Sequence, residues 1–124
     1  QQEATMKVVS PKFPGMEKIK DFRMLEEWYA MKNLAKDLHV ILVQETEGMT
    51  EGCYQRPPYP ATWARIHGKG RVFYTSLGHR EDVWESSIMK QIRLGGLAWV
   101  LGEVDFDPVP NIDQVTPGAN QLPK

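Results

Sequence analysis

Two polar side chains stand where a folded chain would present them to a ligand, and His79 is the first. It follows Gly78 directly after a β-prone run, and the glycine lets the backbone turn out of a sheet. The imidazole is then left at the carboxyl end of a strand, where ligands bind in open α/β sheets. An imidazole there can bind a ligand, act as an acid or base, or coordinate a metal. The alternative is a turn histidine that hydrogen-bonds only to the backbone.

Glu27 is the second candidate. It interrupts an apolar and aromatic run from Phe22 to Met31, so its carboxylate is either solvated at an edge or directed into a pocket. A carboxylate in a pocket can bind hydroxyl groups or exchange a proton. Its neighbour Glu26 is expected to be exposed. We therefore take His79 and Glu27 as the candidate catalytic residues.

Two further residues are candidates for substrate binding, Tyr29 and Arg65. Tyr29 and the adjacent Trp28 could stack on a ring-shaped ligand, although large aromatic side chains more often belong to a core. Arg65 and Arg71 lie on two β-prone runs. Each could hold an anion or pair with Glu27, or it could point to solvent from a strand face.

The sequence gives little support for a cysteine nucleophile, a phosphate-binding loop or a metal site. Cys53 is the only cysteine, and it lies in a loop rich in Gly and Pro rather than at a strand-to-helix elbow suited to a nucleophile. The Gly-Lys-Gly at residues 68–70 lacks the Ser or Thr and the following helix of a phosphate loop, so we predict a turn. No metal and no cofactor are predicted, because the histidines have no short-range ligand spacing. Two of them are expected to be structural: His39 and His67.

The composition is that of one globular domain, with 124 residues, 41% hydrophobic and 25% charged. Fifteen basic residues against sixteen acidic ones leave a net charge of -1, so no global field attracts nucleic acid or an anionic membrane. No apolar run approaches the roughly 20 residues that span a bilayer. The first residues lack the charged and apolar regions of a signal peptide. These features predict a soluble chain and leave its compartment open.

The elements that must position the candidate residues centre on a predicted hairpin. Two β-prone runs, Ala61 to Ile66 and Arg71 to Leu77, flank residues 68–70, where glycine supplies the positive φ of a tight reversal. His39 to Gln44 is a continuous apolar run rich in β-branched residues. It predicts a strand buried on both faces, in the middle of a mixed or parallel sheet. Two further segments are assigned: a short strand at Met6 to Val9 and a loop at Thr46 to Pro60.

Val83 to Leu101 has helical spacing. Ser86 or Ser87 can cap its start and Gly102 its end. Two glycines inside this helix cost about 1 kcal/mol each relative to alanine, so we expect close packing on a sheet. Beyond Asp105, prolines and few apolar residues predict an extended strap or a disordered end. One apolar face of the helix is predicted to comprise Trp84, Ile88, Ile92, Gly95 and Trp99.

Three blocks of the chain carry a family resemblance. The longest comprises residues 60–65 (Pro-Ala-Thr-Trp-Ala-Arg) and residues 68–79, which end in Gly-His. The second, Leu94 to Trp99 (Leu-Gly-Gly-Leu-Ala-Trp), is similar to a closing helix, and the third, Phe22 to Tyr29, is similar to an Asp-Glu-Trp-Tyr block. Together they extend over about residues 13–102. On these blocks the chain resembles the C-terminal half of the trehalose-utilisation (ThuA-like) family, within the class I glutamine amidotransferase-like superfamily.

The resemblance implies an α/β fold. The chain would be the C-terminal portion of a flavodoxin-like, class I glutamine amidotransferase-like three-layer sandwich with a mixed sheet and an antiparallel hairpin. A ThuA-like domain would occupy residues 1–104, without the family's N-terminal half, and a Pro-rich extended tail residues 105–124. A half-sheet would leave an edge open beside the strand that begins at His39. We therefore expect a partner at that edge: the missing half, a second copy or another protein subunit.

The resemblance also implies a function linked to carbohydrate metabolism, in which the domain binds or acts on trehalose or a related sugar. Glu27 and His79 would be polar groups of the pocket and Tyr29 a wall. The chain departs from the family at Phe13, where histidine is usual, and at Glu26, where aspartate is usual. These departures and the missing half favour an alternative, a non-catalytic structural or binding subunit of a larger assembly. One pocket facing both Glu27 and His79 would favour binding; opposite sides of the sheet would favour the structural role.

Overall fold

A five-stranded sheet organises the protein in a computed structural model that describes all 124 residues. The order of the strands is β2-β1-β3-β4-β5, and each neighbouring pair is antiparallel. The strand bounds are β1 (Gln2–Val8), β2 (Phe22–Glu26), β3 (His39–Gln44), β4 (Tyr59–His67) and β5 (Gly70–Thr75).

The prediction of a mixed or parallel sheet is therefore wrong. Parallel neighbours need a long crossover, usually an α-helix, whereas antiparallel neighbours do not. All three α-helices follow the last strand: α1 (Glu81–Glu85), α2 (Ser87–Val100) and α3 (Ile112–Val115). The fold is α/β in composition, but the flavodoxin-like three-layer arrangement is not confirmed.

The predicted hairpin is confirmed in β4 and β5. Their register runs from Thr62 opposite Thr75 to His67 opposite Gly70, which leaves Gly68 and Lys69 as the two residues of the turn. Gly68 has a φ of +61°, and Gly70 has no positive φ. Only one of the two glycines therefore serves the reversal.

β3 is the middle strand, and all six of its residues are buried, as the sequence predicts. It pairs with β1 on one side and with β4 on the other, so no edge is open at the strand that begins at His39. The outer strands of the sheet are β2 and β5. The partner subunit itself stays a prediction, although the edge beside His39 that is predicted for it is filled by β1 and β4.

Two apolar clusters cover the sheet. The register between β3 and β4 shifts between Val40 and Leu42, which allows two successive residues of β3, Ile41 and Leu42, to join the same cluster. The larger cluster includes α2 and comprises, among others, Met6, Phe13, Ile41, Leu42, Met89, Ile92 and Trp99. The smaller cluster comprises Leu34, Leu38, Val40, Val43, Tyr59, Ile112 and Ala119.

The helical spacing from Val83 to Leu101 is divided between two helices, and the predicted helix from about Ser87 to Leu101 is α2. Ser86 has an extended backbone, with φ -61° and ψ 151°, and its Oγ accepts the N–H of Met89 at 3.2 Å. Ser86 therefore caps α2, and of the two serines predicted as possible caps it is the one that serves. The break places Trp84 in α1, where it is 47% exposed instead of sharing the buried face of α2. α2, the longest helix, has 14 residues, and no helix is long and apolar enough to cross a membrane.

The glycines inside α2 pack closely, as expected. A Cβ built on Gly95 would lie 2.0 Å from the carbonyl oxygen of Pro14. A Cβ built on Gly96 would lie 2.5 Å from the ring of Phe73 in β5. Alanine at either position would push the helix away from its neighbours, so Gly95 sets the distance between α2 and the turn at Pro14, and Gly96 the distance between α2 and the sheet.

The tail crosses the face of the sheet that α2 leaves open. The side chain of Asn111 accepts the N–H of Val40 at 2.6 Å and donates to its carbonyl at 3.1 Å. The Asn111 N–H donates to the carbonyl of Leu38, and Ile112 in α3 is buried beyond it. The tail is thus an ordered strap with one short helix.

Candidate functional site

The candidate site forms where the segment after β2 meets the loop after β5. β2 and β5 are opposite edges of the sheet, yet the loop at residues 76–80 passes from the end of β5 to the last residue of β2, Glu26. Gly78 turns this loop with a φ of +105°. The meeting point carries Glu27 on one segment and His79 on the other.

Glu26 joins the two segments. Its carboxylate accepts four backbone N–H groups: those of Gly78 at 2.9 Å, His79 at 3.2 Å, Arg80 at 3.0 Å and Glu27 at 2.8 Å. The residue is fully buried. The expectation that Glu26 is exposed is therefore wrong, because three N–H groups of the loop would have no acceptor without it.

Glu27 and His79 contact each other directly. An Oε2 atom of Glu27 pairs with Nδ1 of His79, and the two side chains are 40% and 50% exposed. Because a carboxylate oxygen accepts, Nδ1 of a neutral His79 carries the hydrogen. The Nε2 atom makes no hydrogen bond within the protein, so in this tautomer its lone pair is free. The same division of roles within a carboxylate–imidazole pair allows an imidazole to act as a general base.

The pocket around this pair has a volume of about 470 Å³ and no hydrophobic residue in its lining. Arg80 is part of the wall, and its guanidinium donates to both carboxylate oxygens of Asp82 at 2.9 and 3.1 Å, and also to the side chain of Gln1. The charge of Arg80 is thus already matched within the protein. The lining consists of Gln1, Glu27, His79, Arg80, Glu81 and Asp82.

Neighbouring groups hold the pKa of Glu27 below its usual value. The largest cause is the side-chain amide of Gln1, which donates to Oε1 of Glu27 at 2.9 Å, and the charge of His79 acts in the same direction. Partial desolvation opposes them. Similarly, the pKa of Asp82 is lowered and that of Arg80 is raised, in each case first by their shared hydrogen bonds. Glu27 and Asp82 are therefore carboxylates at neutral pH.

Tyr29 lies at the side of the pair. Its ring meets the ring of His79 edge to face, with 5.7 Å between the centroids, and it is 51% exposed. Two buried tyrosines fix the backbone of this segment: the hydroxyl of Tyr54 donates to the carbonyl of Trp28 at 2.6 Å, and that of Tyr59 donates to the carbonyl of Tyr29 at 2.9 Å. Burial raises the pKa of Tyr54 to about 12 and that of Tyr59 in the same direction. Both therefore stay protonated donors.

The remaining candidates lie elsewhere. Arg65 pairs with Asp37 at 2.7 Å and lines a separate pocket beside Trp63. Arg71 donates to the carbonyl of Trp99 and to Asp105, so neither arginine pairs with Glu27. The proposed role of Arg65 in substrate binding stays a prediction, at a place distinct from the Glu27–His79 pocket.

The other residues considered for chemistry are held by the fold or lie at the surface. Both ring nitrogens of His39 are engaged at 2.7 Å, one with Ser10 Oγ and one with the carbonyl of Val109. Phe13 is buried among the aromatic side chains of the larger cluster. Cys53 is exposed in a 3-10 helix outside the pocket lining. No group of three or more His, Cys, Asp or Glu residues could hold a metal ion.

Sequence reasoning missed Glu26, Gln1, Arg80 and Asp82. For Glu26 a signal was present. In β2 the partly buried residues are Phe22 and Met24, and the alternation of a strand places Glu26 on the same, inward side. Assigning residues 22–26 as a strand would have predicted a buried carboxylate. The contacts of Gln1 and Arg80 join residues 79 positions apart, and no local pattern reports them.

The comparison with protein families gives one match. Residues 1–100 match the model of the ThuA family, described as trehalose utilisation. Neither the curated proteins nor the solved structures gave a significant match. The matched residues include all five strands, the loop with His79, and α2. The chain belongs to the ThuA family.

Proposed function

We propose that this ThuA-family domain binds a sugar or a sugar derivative in the Glu27–His79 pocket. The observation that carries the proposal is the direct contact of these two side chains in one open, polar pocket. The family's description supports a sugar as the class of ligand. A volume of about 470 Å³ is within the range of about 300–1,000 Å³ that small-molecule sites occupy.

The chemistry of the lining suits hydroxyl groups. Glu27 supplies acceptors, Gln1 an amide, and His79 Nε2 a free lone pair, so a polyhydroxylated ligand could both donate and accept here. The half-exposed ring of Tyr29 offers an apolar surface for one face of a sugar ring. Together these groups cover the polar edge and the apolar face that every pyranose presents.

The charges of the lining favour an uncharged sugar over a phosphorylated one. Glu27, Glu81 and Asp82 are acidic, and the only cationic side chain that is always charged, Arg80, is already bound by Asp82. A phosphate group would thus meet carboxylates without a free guanidinium to pair with. Trehalose should accordingly bind more tightly than trehalose 6-phosphate.

If the domain also acts on its ligand, a proton would pass from a sugar hydroxyl to Nε2 of His79, which would leave an alkoxide on the sugar and an imidazolium on the protein. Glu27 would hold the ring in the tautomer with hydrogen on Nδ1 and stabilise the imidazolium that forms. Neither step requires movement of the two side chains, because they are already in contact. Incubating the protein with trehalose and following the sugar by proton NMR tests for turnover, and His79→Ala should abolish any change that is seen.

Isothermal titration calorimetry with trehalose and glucose tests the binding. Removing a charged hydrogen-bond partner costs about 1.5–3 kcal/mol, so His79→Ala and Glu27→Gln should each weaken binding about tenfold or more. His67→Ala and Glu85→Gln are matched controls, since both residues are exposed and outside the pocket lining, and they should leave the affinity unchanged. Sugar binding that neither His79→Ala nor Glu27→Gln weakens would contradict the proposed site. The absence of binding to either sugar would contradict the ligand class.

A further inference from the structure

Glu26 is a buried carboxylate outside the pocket lining, and it contacts both segments that carry the site. We propose that Glu26 is the positioning residue of the Glu27–His79 pair: it holds the loop at residues 78–80 at the distance that lets the imidazole meet the carboxylate. The importance of this role for ligand binding rests on the proposed function. The test below measures the contact between Glu27 and His79 directly, so the positioning role and the sugar-binding proposal can fail separately.

The first argument is where the N–H groups of the loop donate. Gly78, His79 and Arg80 are three successive residues, and none of their N–H groups donates to a backbone carbonyl. All three donate to Glu26, at 2.9, 3.2 and 3.0 Å. No other hydrogen bond of these backbone N–H groups ties this part of the loop to the sheet. All backbone hydrogen bonds that join this loop to β2 therefore end on one side chain.

The second argument is the fourth hydrogen bond. The Oε1 atom of Glu26 accepts the N–H of Glu27 as well as that of Arg80. One carboxylate thus binds the backbone of both members of the pair, Glu27 through its own N–H and His79 through the N–H of His79. Because both segments are bound to the same carboxylate group, the distance between their backbones is limited by its size.

The third argument is that the loop has little freedom to compensate. Gly78 has a φ of +105°, and a Cβ built there would lie 2.8 Å from the ring of Trp84. The loop is therefore closely packed on α1 at one side and bound to Glu26 on the other. If Glu26 no longer accepts these N–H groups, they must move towards water, since leaving them buried without a partner costs about 1–3 kcal/mol each. His79 would move with them.

The variant Glu26→Gln tests this role with little change of volume. Glutamine replaces one of the two acceptor oxygens by an NH₂ group, which cannot accept the N–H groups directed at it. The readout is the tautomer of each histidine, measured by nitrogen-15 NMR of the imidazoles at pH 8, where an ordinary histidine is neutral. In the unmodified protein His79 should be in the form with hydrogen on Nδ1, because that hydrogen is donated to Glu27.

In Glu26→Gln the His79 signals should move towards those of His67, which has no side-chain partner, and Glu27→Gln should move them in the same direction. His39 is the internal control for the fold, because both of its nitrogens are bonded inside the core and its signals should stay in place. Glu85→Gln, an exposed carboxylate in the adjacent α1, should change none of the three. A folded Glu26→Gln protein with unchanged His79 signals would overturn the proposal.

If Glu26→Gln does not fold, the unmodified protein supplies a second test. The N–H groups of Gly78, His79 and Arg80 lie outside any helix or strand, and those of an ordinary loop exchange rapidly with solvent. Bound to Glu26, they should exchange at least tenfold more slowly than the N–H of Lys69 in the hairpin turn. Exchange as fast as that of Lys69 would overturn the role of Glu26, whatever the result of sugar binding.

Discussion

The two ends of β5 carry the same residue types in mirrored order. Before its start, His67 ends β4 and Gly68 begins the hairpin turn; after its end, the loop contains Gly78 followed by His79. Both glycines have a positive φ, +61° and +105°. At the hairpin turn the histidine is exposed and without a side-chain partner, whereas His79 pairs with Glu27.

The difference lies in what each glycine and its neighbours contact. A Cβ built on Gly68 would meet nothing within 4 Å, while one built on Gly78 would strike Trp84. The hairpin turn is closed by the pairing of its own two strands. The loop after β5 is held by Glu26, a residue 52 to 54 positions away in the chain. A glycine beside a histidine is thus a turn in one place and part of a candidate site in the other, according to contacts that are distant in sequence.

The largest expected effect on stability and on sugar binding is that of Gly78→Ala, and Gly68→Ala is the matching substitution at the other end of β5. A positive φ in a residue with a Cβ costs about 1–3 kcal/mol, and a new methyl group in a packed position costs about 1–3 kcal/mol more. The free energy of unfolding should fall by about 2–6 kcal/mol, as measured by urea denaturation. A folded Gly78→Ala protein should also lose sugar binding, since His79 is the next residue. Unchanged stability would show that the loop adapts and that the close contact with Trp84 does not constrain it.

Gly68→Ala should have a smaller effect. The new Cβ meets no atom, so only the left-handed backbone is penalised, at about 1–2 kcal/mol. Sugar affinity and the tautomer of His79 should not change, because this turn lies at the opposite end of β5. The same denaturation and calorimetry experiments measure both variants. A loss of affinity in Gly68→Ala as large as in Gly78→Ala would contradict the distinction between the two ends.

The same contrast explains which features could be predicted from the sequence. The hairpin, the buried β3 and the cap at Ser86 follow from patterns within a few residues, and all three are confirmed. The antiparallel sheet and the ordered tail depend on pairings between distant segments, such as Asn111 with Val40, which periodicity does not report. Trp84 is exposed because the break at Ser86 places it in α1, away from the buried face of α2 on which helical spacing predicts it.

Within the site, His79 and Glu27 were identifiable by residue type and by the family resemblance, and the structure brings them together. The roles of the adjacent glutamates could not be separated in that way. A run of apolar residues does not tell which of two successive carboxylates points inward, and only the alternation along β2 decides it. The charge of Arg65 suggests a site for an anion, but that charge is matched locally by Asp37.

The smallest expected effect is the pH-dependent contribution of the Glu27–His79 pair to the free energy of unfolding. The pKa of Glu27 is lower in the folded protein than its usual value of 4.5, first because of the Gln1 amide and also because of His79. A carboxyl group with a lowered pKa stabilises the fold above its unfolded value, and this contribution is lost as the pH falls through the folded value. Stability from Glu27 should therefore be present at pH 7 and decline below about pH 4.5.

Urea denaturation of the unmodified protein and of Glu27→Gln at pH 7 and at pH 3 measures this contribution. Because the pair is about half exposed, solvent screens it, and the difference between the two proteins should be small at pH 7 and smaller still at pH 3. His67→Ala, at the other end of β5, should show no difference from the unmodified protein at pH 7, since this histidine has no partner to lose. If Glu27→Gln and the unmodified protein differ equally at both pH values, the contact between Glu27 and its two neighbours does not stabilise the carboxylate. The two ends of β5 would then differ in geometry but not in electrostatics.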